Sequence, residues 1–305
     1  MNKLKPKIAV LMATYNGLSW LSEQVHSVLN QVNVDLFLYV SDDASSDGTY
    51  ELIGKLAKAD SRINLLPKIQ RRGSAGKNFY RLVCDVDLAG FDYVAFADQD
   101  DIWNPDKLSS HIDLIKNSNA EAVSSNVIAF WLGGSQKLIG KSQPQKLYDY
   151  LFESAGPGCT FLMTPWLIGE LKRQLLTNEA AKEVSLHDWL TYSICRAHGK
   201  PWLIDAIPSM QYRQHQHNVV GANSGLKAAF ARLKKINSGW YRFEVELISR
   251  VVASISTDKK LYDFQKIIRG RSLLDRFRLV PYAMQGRRKF SDRVVLVLSI
   301  LLFIF

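Results

Sequence analysis

The chain has 305 residues, 47% of them apolar, and a formal charge of +10. So much apolar sequence excludes a disordered chain, and the length suits one large domain or two modest ones. The charge excludes less than its size suggests, because residues 232–293 hold 16 Lys and Arg against 6 Asp and Glu and residues 1–231 are therefore near neutral.

Lys7 to Ala13 is a continuous apolar run, the pattern of a strand buried on both faces in a parallel sheet. It is interrupted by Thr14-Tyr15-Asn16-Gly17, too early for a signal peptide, so nothing points to export. Leu18 to Asn30 reads as a helix, because Leu18, Leu21, Val25, Val28 and Leu29 recur at three- and four-residue spacing. A second strand, Leu36 to Val40, runs into the polar loop Ser41-Asp42-Asp43-Ala44-Ser45-Ser46-Asp47-Gly48-Thr49, and a helix follows from Tyr50 to Ala59. Ile63 to Leu66 is a third strand, Arg71 to Gly76 a loop, and Lys77 to Val86 a helix. Phe91 to Ala97 then delivers an acidic stretch, Asp98-Gln99-Asp100-Asp101-Ile102-Trp103.

Beyond it the pattern predicts a helix from Pro105 to Lys116, one strand from Ala122 to Leu132, a loop at Gly156-Pro157-Gly158-Cys159 entering another strand, a helix after His187-Asp188-Trp189, and a last strand from Trp202 to Ile207. Tyr212-Arg213-Gln214-His215 follows that strand. The alternation argues for an α/β fold with a mostly parallel sheet, and ligands of such sheets bind at the carboxyl ends of the strands. Asn16, Asp42-Asp43 and Asp98-Asp100-Asp101 all fall at such ends. From about Leu226 the sequence becomes helical and basic, which places a boundary between residues 1–225 and 226–305.

Three carboxylates in four residues repel and raise one another's pKa, so the Asp98 to Asp101 stretch suits a Mg²⁺ or Mn²⁺ site. A solvated acidic turn capping the next helix is the alternative. Cys84, Cys159 and Cys195 show no CxxC or Cys/His ligand spacing, which argues against structural zinc and fits reduced thiols in a cytosolic setting.

Together, Met12-Ala13-Thr14-Tyr15-Asn16-Gly17, the Ser41 to Thr49 loop and Asp98-Gln99-Asp100-Asp101 resemble, in order and spacing, glycosyltransferase family 2, inverting enzymes of GT-A fold. The resemblance covers residues 7 to 220. The Asp-Gln-Asp-Asp-Ile-Trp and Tyr-Arg-Gln-His stretches are more similar to bacterial rhamnosyltransferases of surface-polysaccharide synthesis. It implies a metal-dependent transfer from a nucleotide sugar, with dTDP-rhamnose as donor; a UDP-hexose donor is the alternative.

In this pattern Asp100 is the direct metal ligand, Asp98 lies near the ribose, and Asp101 contacts the donor sugar or orients the site. Asp43 accepts the base N–H, and Tyr15 stacks on the base, with a turn-forming Asp and a core aromatic as the plainer alternatives. Thr14, Asn16, Gln99 and Lys77 join the donor site, while Asp42 and Asp47 are loop and cap residues. Gly158 permits close approach beneath the donor sugar. Asp188 matches the base that deprotonates the acceptor hydroxyl, or else caps its helix. Trp189 walls the acceptor pocket or packs in the core. His215 completes the metal shell or meets the diphosphate, and Arg213 pairs with phosphate. Ala13 departs from the hydroxyl residue of many relatives, which removes one nucleotide contact.

The end of the chain, Val294 to Phe305, is almost wholly apolar but as a helix spans only roughly 18 Å against the ~30 Å hydrocarbon core. With Arg269, Arg271, Arg276, Arg278, Arg287, Arg288, Lys289 and Arg293 upstream, it is expected to dip into one leaflet and attract anionic headgroups, placing the enzyme on the inner face of the cell membrane beside a lipid-linked saccharide acceptor. A core strand or an oligomer interface is the alternative for this segment. No aromatic-interleaved basic platform or helix-turn-helix pattern supports nucleic-acid binding, and intact Asp100 and Asp188 oppose a non-catalytic scaffold.

Overall fold

The computed structural model describes residues 4–215 and 239–305. The expected boundary near Leu226 lies outside the described residues.

A seven-stranded sheet runs in the order β10-β6-β9-β4-β1-β2-β3. Its centre is β1 (Lys7–Thr14), flanked in parallel by β2 (Asp35–Asp42) and β4 (Tyr93–Ala97), with β3 (Ile63–Leu65) beyond β2. The short β9 (Leu162–Met163) runs antiparallel between β4 and β6 (Ala122–Ser125), and β10 (Trp202–Asp205) closes the other edge. Side chains alternate along a strand, so β1 sends Ile8, Val10 and Met12 to one face and Ala9 and Leu11 to the other, all with no exposed surface. Helices α1 (Leu18–Leu29), α2 (Thr49–Ala59) and α4 (Lys107–Ser118) contribute to the core on the first face; α3 (Ala75–Asp85), α5 (Pro165–Thr177), α6 (Glu179–Glu183) and α7 (His187–Ala197) contribute to the second.

Two strand expectations need correction. The apolar run from Ala122 is not one strand: it breaks at Asn126 into β6 and β7 (Val127–Trp131), which enter different sheets. Asn126 drives the break, since its amide donates to the Ala206 carbonyl (2.9 Å) and its side-chain oxygen accepts from the Lys141 and Ser142 N–H groups (2.6 and 3.1 Å). Nor is β10 the last strand. A second sheet, in the order β5-β11-β7-β8, contains β5 (Ile102–Trp103), β8 (Gln136–Ile139) and β11 (Met210–Gln214). Its β5–β11 pairing carries the Arg213 to His215 stretch back over the acidic loop.

The C-terminal helices α8 (Trp240–Ile255), α9 (Lys259–Arg269), α10 (Leu273–Met284) and α11 (Phe290–Leu301) share one apolar cluster with the second face of the main sheet. Several of the basic residues expected to meet headgroups turn inward instead. Arg288 is 4% exposed and lies between Asp149 Oδ2 (3.2 Å) and the Ser154 carbonyl (2.6 Å), and Arg287 donates to the Phe152 carbonyl (2.8 Å). Arg276 donates to the Ile300 carbonyl (3.0 Å). These guanidiniums add charge-assisted bonds to helix-end carbonyls and to a buried carboxylate. Among the described residues no helix is long and apolar enough to cross a membrane.

Candidate active site

The carboxyl ends of β1, β2 and β4 lie side by side, so the three loops that follow them meet. Gln99 clasps the first loop at two points: Oε1 accepts the Tyr15 N–H (2.9 Å) and Nε2 donates to the Tyr15 carbonyl (3.0 Å). A side chain at Gly17 would collide with that amide, its Cβ falling 2.2 Å from Oε1, so the glycine is required for the clasp. Asn16 adopts φ 47° and accepts the Ser46 N–H (2.9 Å), tying the first loop to the second. The Thr14 hydroxyl donates to Asp42 Oδ2 (2.9 Å). Thr14, Asn16 and Gln99, expected as donor contacts, thus have their side chains engaged in holding the loops together.

Asp43 is buried, and its two oxygens accept the backbone N–H groups of Arg72 and Gly73, the second at 2.9 Å. A carboxylate has about four lone-pair sites, so capacity for a base N–H is left. Tyr15 is 38% exposed, with the Arg71 guanidinium 4.4 Å from its ring centroid, and so presents an aromatic face at the rim instead of filling the core. Lys77 is exposed in the first turn of α3, beneath the Ser74 cap.

The acidic motif divides into an outer pair and an inner trio. Asp100 Oδ2 lies 2.6 Å from His215 Nε2, and the imidazole stacks on Trp20 at 4.1 Å between centroids. Inside, Asp98, Asp101 and Cys159 bring ligand atoms within 4.8 Å of one another. Asp101 is fully buried; its Oδ1 accepts the Arg213 N–H (3.1 Å), whereas Oδ2 has no hydrogen-bond partner. Burial, then Asp100 and Asp98, hold the Asp101 carboxyl well above its usual range. Burial first and Asp100 next push Asp98 up to about 7, and the neighbouring Cys159 thiol holds it back.

Below the trio lies Lys107, 1% exposed, its Nζ 2.5 Å from the Cys159 carbonyl and 3.2 Å from the Trp103 ring centroid. Burial lowers this ammonium to about 7 against the pull of Asp101 and Asp98. The Lys107 nitrogen and a thiol that burial keeps protonated therefore lie beside the two inner carboxylates. The outer pair, one carboxylate and one imidazole whose side chains are 10% and 8% exposed, has the oxygen and nitrogen donor set that suits Mg²⁺ or Mn²⁺ with positions left for a diphosphate. Three carboxylates within four residues, with the unpartnered Asp101 oxygen behind Asp100, fit a cation at this loop.

Arg213 is 6% exposed and pinned, with Nε on the Asp100 carbonyl (2.8 Å) and its guanidinium on Glu23. It shapes the acidic loop from behind. On the opposite wall, Gly158 opens the turn Gly158–Thr160, and a Cβ there would fall 2.4 Å from His187 Nε2 and 3.3 Å from Asp188 Cβ. Close approach of α7 to this loop is what the glycine permits.

Asp188 does not cap its helix. The cap position is Leu186, with no side-chain cap bond, and Asp188 Oδ1 accepts only the following Trp189 N–H (2.7 Å) among the hydrogen bonds of its carboxylate at that distance. Burial raises its carboxyl to about 6, with the Lys141 ammonium and Ser154 hydroxyl restraining the rise. Trp189 corrects an expectation: it is 2% exposed, its indole N–H donates to the Tyr150 carbonyl (2.9 Å), and it stacks on Tyr241, so it belongs to the core and not to an acceptor wall.

Three residues of this site escaped the sequence reading. Trp20 lies off the Leu21-Val25-Val28 stripe of α1, an aromatic out of phase with its helix. Lys107 shares a face with Leu108, His111, Ile112 and Ile115, all buried, and a lysine in phase with an apolar stripe was the signal. Cys159 left no such trace.

The family model for glycosyl transferase family 2 matches residues 9–156. The dTDP-rhamnosyl transferase RfbG of Shigella flexneri is 41% identical over 96% of this chain and 100% of its own length. The chain belongs to glycosyltransferase family 2. Its match to the UDP-Glc:alpha-D-GlcNAc-diphosphoundecaprenol beta-1,3-glucosyltransferase WfgD of Escherichia coli is 32% over half of this chain and 57% of that one. Among solved structures, residues 1–349 of TarS from S. aureus superpose with a TM-score of 0.59 at 14% identity, covering 98% of this chain and 80% of theirs. The mannosyltransferase PcManGT of Pyrobaculum calidifontis, solved with GDP-Man and Mn²⁺, gives 0.52 at 14%, covering 99% and 86%. At such identity these structures establish the shared GT-A architecture. As a member of the family the protein is a glycosyltransferase, and the expected fold is the observed one.

Proposed function

We propose that the protein transfers rhamnose from dTDP-rhamnose, with inversion, to a lipid-linked saccharide in surface-polysaccharide synthesis. The donor reading rests on the relative named for dTDP-rhamnosyl transfer, whose similarity spans the whole of both chains. The observation that carries the mechanism is the juxtaposition at one rim of Asp100 with His215 and, across the Gly158 turn, a carboxylate raised to about 6 at Asp188.

In this reading Tyr15 stacks on the thymine and Asp43 accepts its N3–H. Asp100 and His215 would hold a Mg²⁺ or Mn²⁺ ion, which would supply positive charge beside the diphosphate. Asp98 and Asp101 orient ribose and sugar from the inner side, and Lys77 with Arg71 lies toward the phosphates. Asp188 takes the proton of the acceptor hydroxyl as that oxygen attacks the anomeric carbon from the face opposite the diphosphate; a single base suffices because no covalent intermediate forms. Residues 1–225 form the transferase unit and residues 226–305 a helical region that keeps the enzyme peripheral on the cytoplasmic membrane face, beside its acceptor.

A thermal-shift screen of dTDP-rhamnose, UDP-glucose and UDP-galactose with Mn²⁺ tests the donor. Stabilisation by dTDP-rhamnose above the UDP-sugars is expected, and the reverse order would replace the donor. Asp188→Asn is expected to lower turnover by about 10³-fold while the dTDP-rhamnose shift persists. Loss of both together would make Asp188 structural.

A further inference from the structure

The last helix is apolar on two sides, but the protein covers only one. Leu296 and Ile300 of α11 are buried, whereas Val294, Val295, Leu298 and Leu302 are 42–64% exposed. Their spacing of one, four and eight residues marks a single helical face. Helix α10 packs beside α11 and leaves Leu274 (57%) and Phe277 (62%) exposed. Phe303 bridges the two: it is 57% exposed and its ring lies 4.0 Å from the Arg276 guanidinium of α10.

The charges around this face are mostly positive. Arg271, Arg278 and Lys289 are exposed beside its residues in sequence. The acidic residues of the two helices are engaged elsewhere, Asp275 in a capping box with Ser272 and Asp292 with Arg287 at 3.5 Å. Apolar side chains rimmed by cations match an anionic bilayer surface. Phe305 is 5% exposed and its carbonyl accepts from Arg242 (3.1 Å), so the contact of this segment with a leaflet falls to the side of α11 and not to Phe305.

We infer that α10 and α11 form a membrane-docking face that lies flat in the headgroup layer of an anionic leaflet, its side chains reaching about 5–10 Å toward the acyl boundary. This rests on the membrane-side reading given under Proposed function and specifies which surface performs it. The terminus stays folded against the protein.

Co-sedimentation of the full chain with vesicles of phosphatidylcholine alone, or mixed with phosphatidylglycerol, tests the face. The wild type is expected to sediment with the mixed vesicles and less at high salt. Leu298→Glu with Phe277→Glu, or independently Leu274→Glu with Val295→Glu, is expected to weaken sedimentation at least tenfold with Tm and the dTDP-rhamnose shift retained. Variants that sediment like the wild type overturn the face while leaving peripheral attachment in place. A wild type that ignores both vesicles overturns the face and the attachment together, with the donor shift still reporting on the transferase reading. A wild-type dimer in light scattering that the variants convert to monomer would make the stripe a subunit interface and overturn the membrane assignment.

Discussion

Two acidic loops leave neighbouring positions of one sheet, and they are built on opposite terms. After β2, Asp42 accepts the Thr14 hydroxyl, the Ser45 N–H and the Ser45 hydroxyl, Asp43 accepts two backbone N–H groups, and Asp47 accepts the Leu18 N–H (3.1 Å) and both polar groups of Thr49. Hydrogen bonds to the ionised form favour it, and Asp47 is accordingly lowered from the usual carboxylate value, its bonds to Thr49 and Leu18 outweighing burial. After β4, Asp98 and Asp101 are raised by burial and then by Asp100, and Asp101 keeps an oxygen without a partner. The first loop is complete as folded. The second is unfavourable as folded, which is the state expected of a site whose missing partner is a cation and a substrate.

The contrast predicts opposite signs for similar substitutions. The largest effect belongs to Asp100→Ala, which removes one of the proposed metal ligands: turnover at saturating donor and Mn²⁺ should fall by about 10²-fold or more, while Tm without metal is unchanged or higher. Wild-type turnover in this variant would end the metal assignment. Asp42→Ala is next. It strands a buried hydroxyl and the Ser45 donors, so thermal unfolding should show a loss of about 2 kcal/mol, and an unchanged Tm would mean that the first loop is not held by its carboxylates.

Asp98→Asn has the smallest expected effect and the most informative sign. Its folded-state value near 7 stands above the ordinary carboxylate value, so the stability that protonation lends is complete at low pH and is lost as pH rises through about 7. The metal-free variant should therefore unfold at a higher temperature than the wild type at pH 8, by on the order of 1 kcal/mol, with no difference at pH 4. Mn²⁺ should raise the wild type toward the variant at pH 8. A variant less stable than the wild type at pH 8 would show that Asp98 is satisfied in the fold.

Much of this arrangement was legible in the chain itself. The β1, β2 and β4 runs are continuous and apolar because a central parallel strand is buried on both faces, and the polar loops after them stand out by contrast. Asp100 was found from the same contrast together with the family pattern, and Asp188 from the family pattern alone. What was not legible depended on side chains competing for partners. Gln99 and Thr14 look like ligand contacts in a motif, yet each meets a backbone or carboxylate group within the protein first. Trp189 beside a proposed base looks like a pocket wall, and only the packing of α8 onto α7 shows why it is core. The break at Asn126 was hidden because Val123 and Val127 are equally apolar on either side of it.

By itself the sequence determined the α/β layering, the three loops that share a rim, and the family, since local apolar period and ordered motifs are properties of short segments. Only the tertiary structure decided how the acidic residues divide between an outer pair with His215 and an inner trio over Lys107. It also decided which C-terminal arginines are bound inward and which apolar stripe is left uncovered. Those outcomes turn on which groups, distant in sequence, are desolvated together, and desolvation is settled by packing.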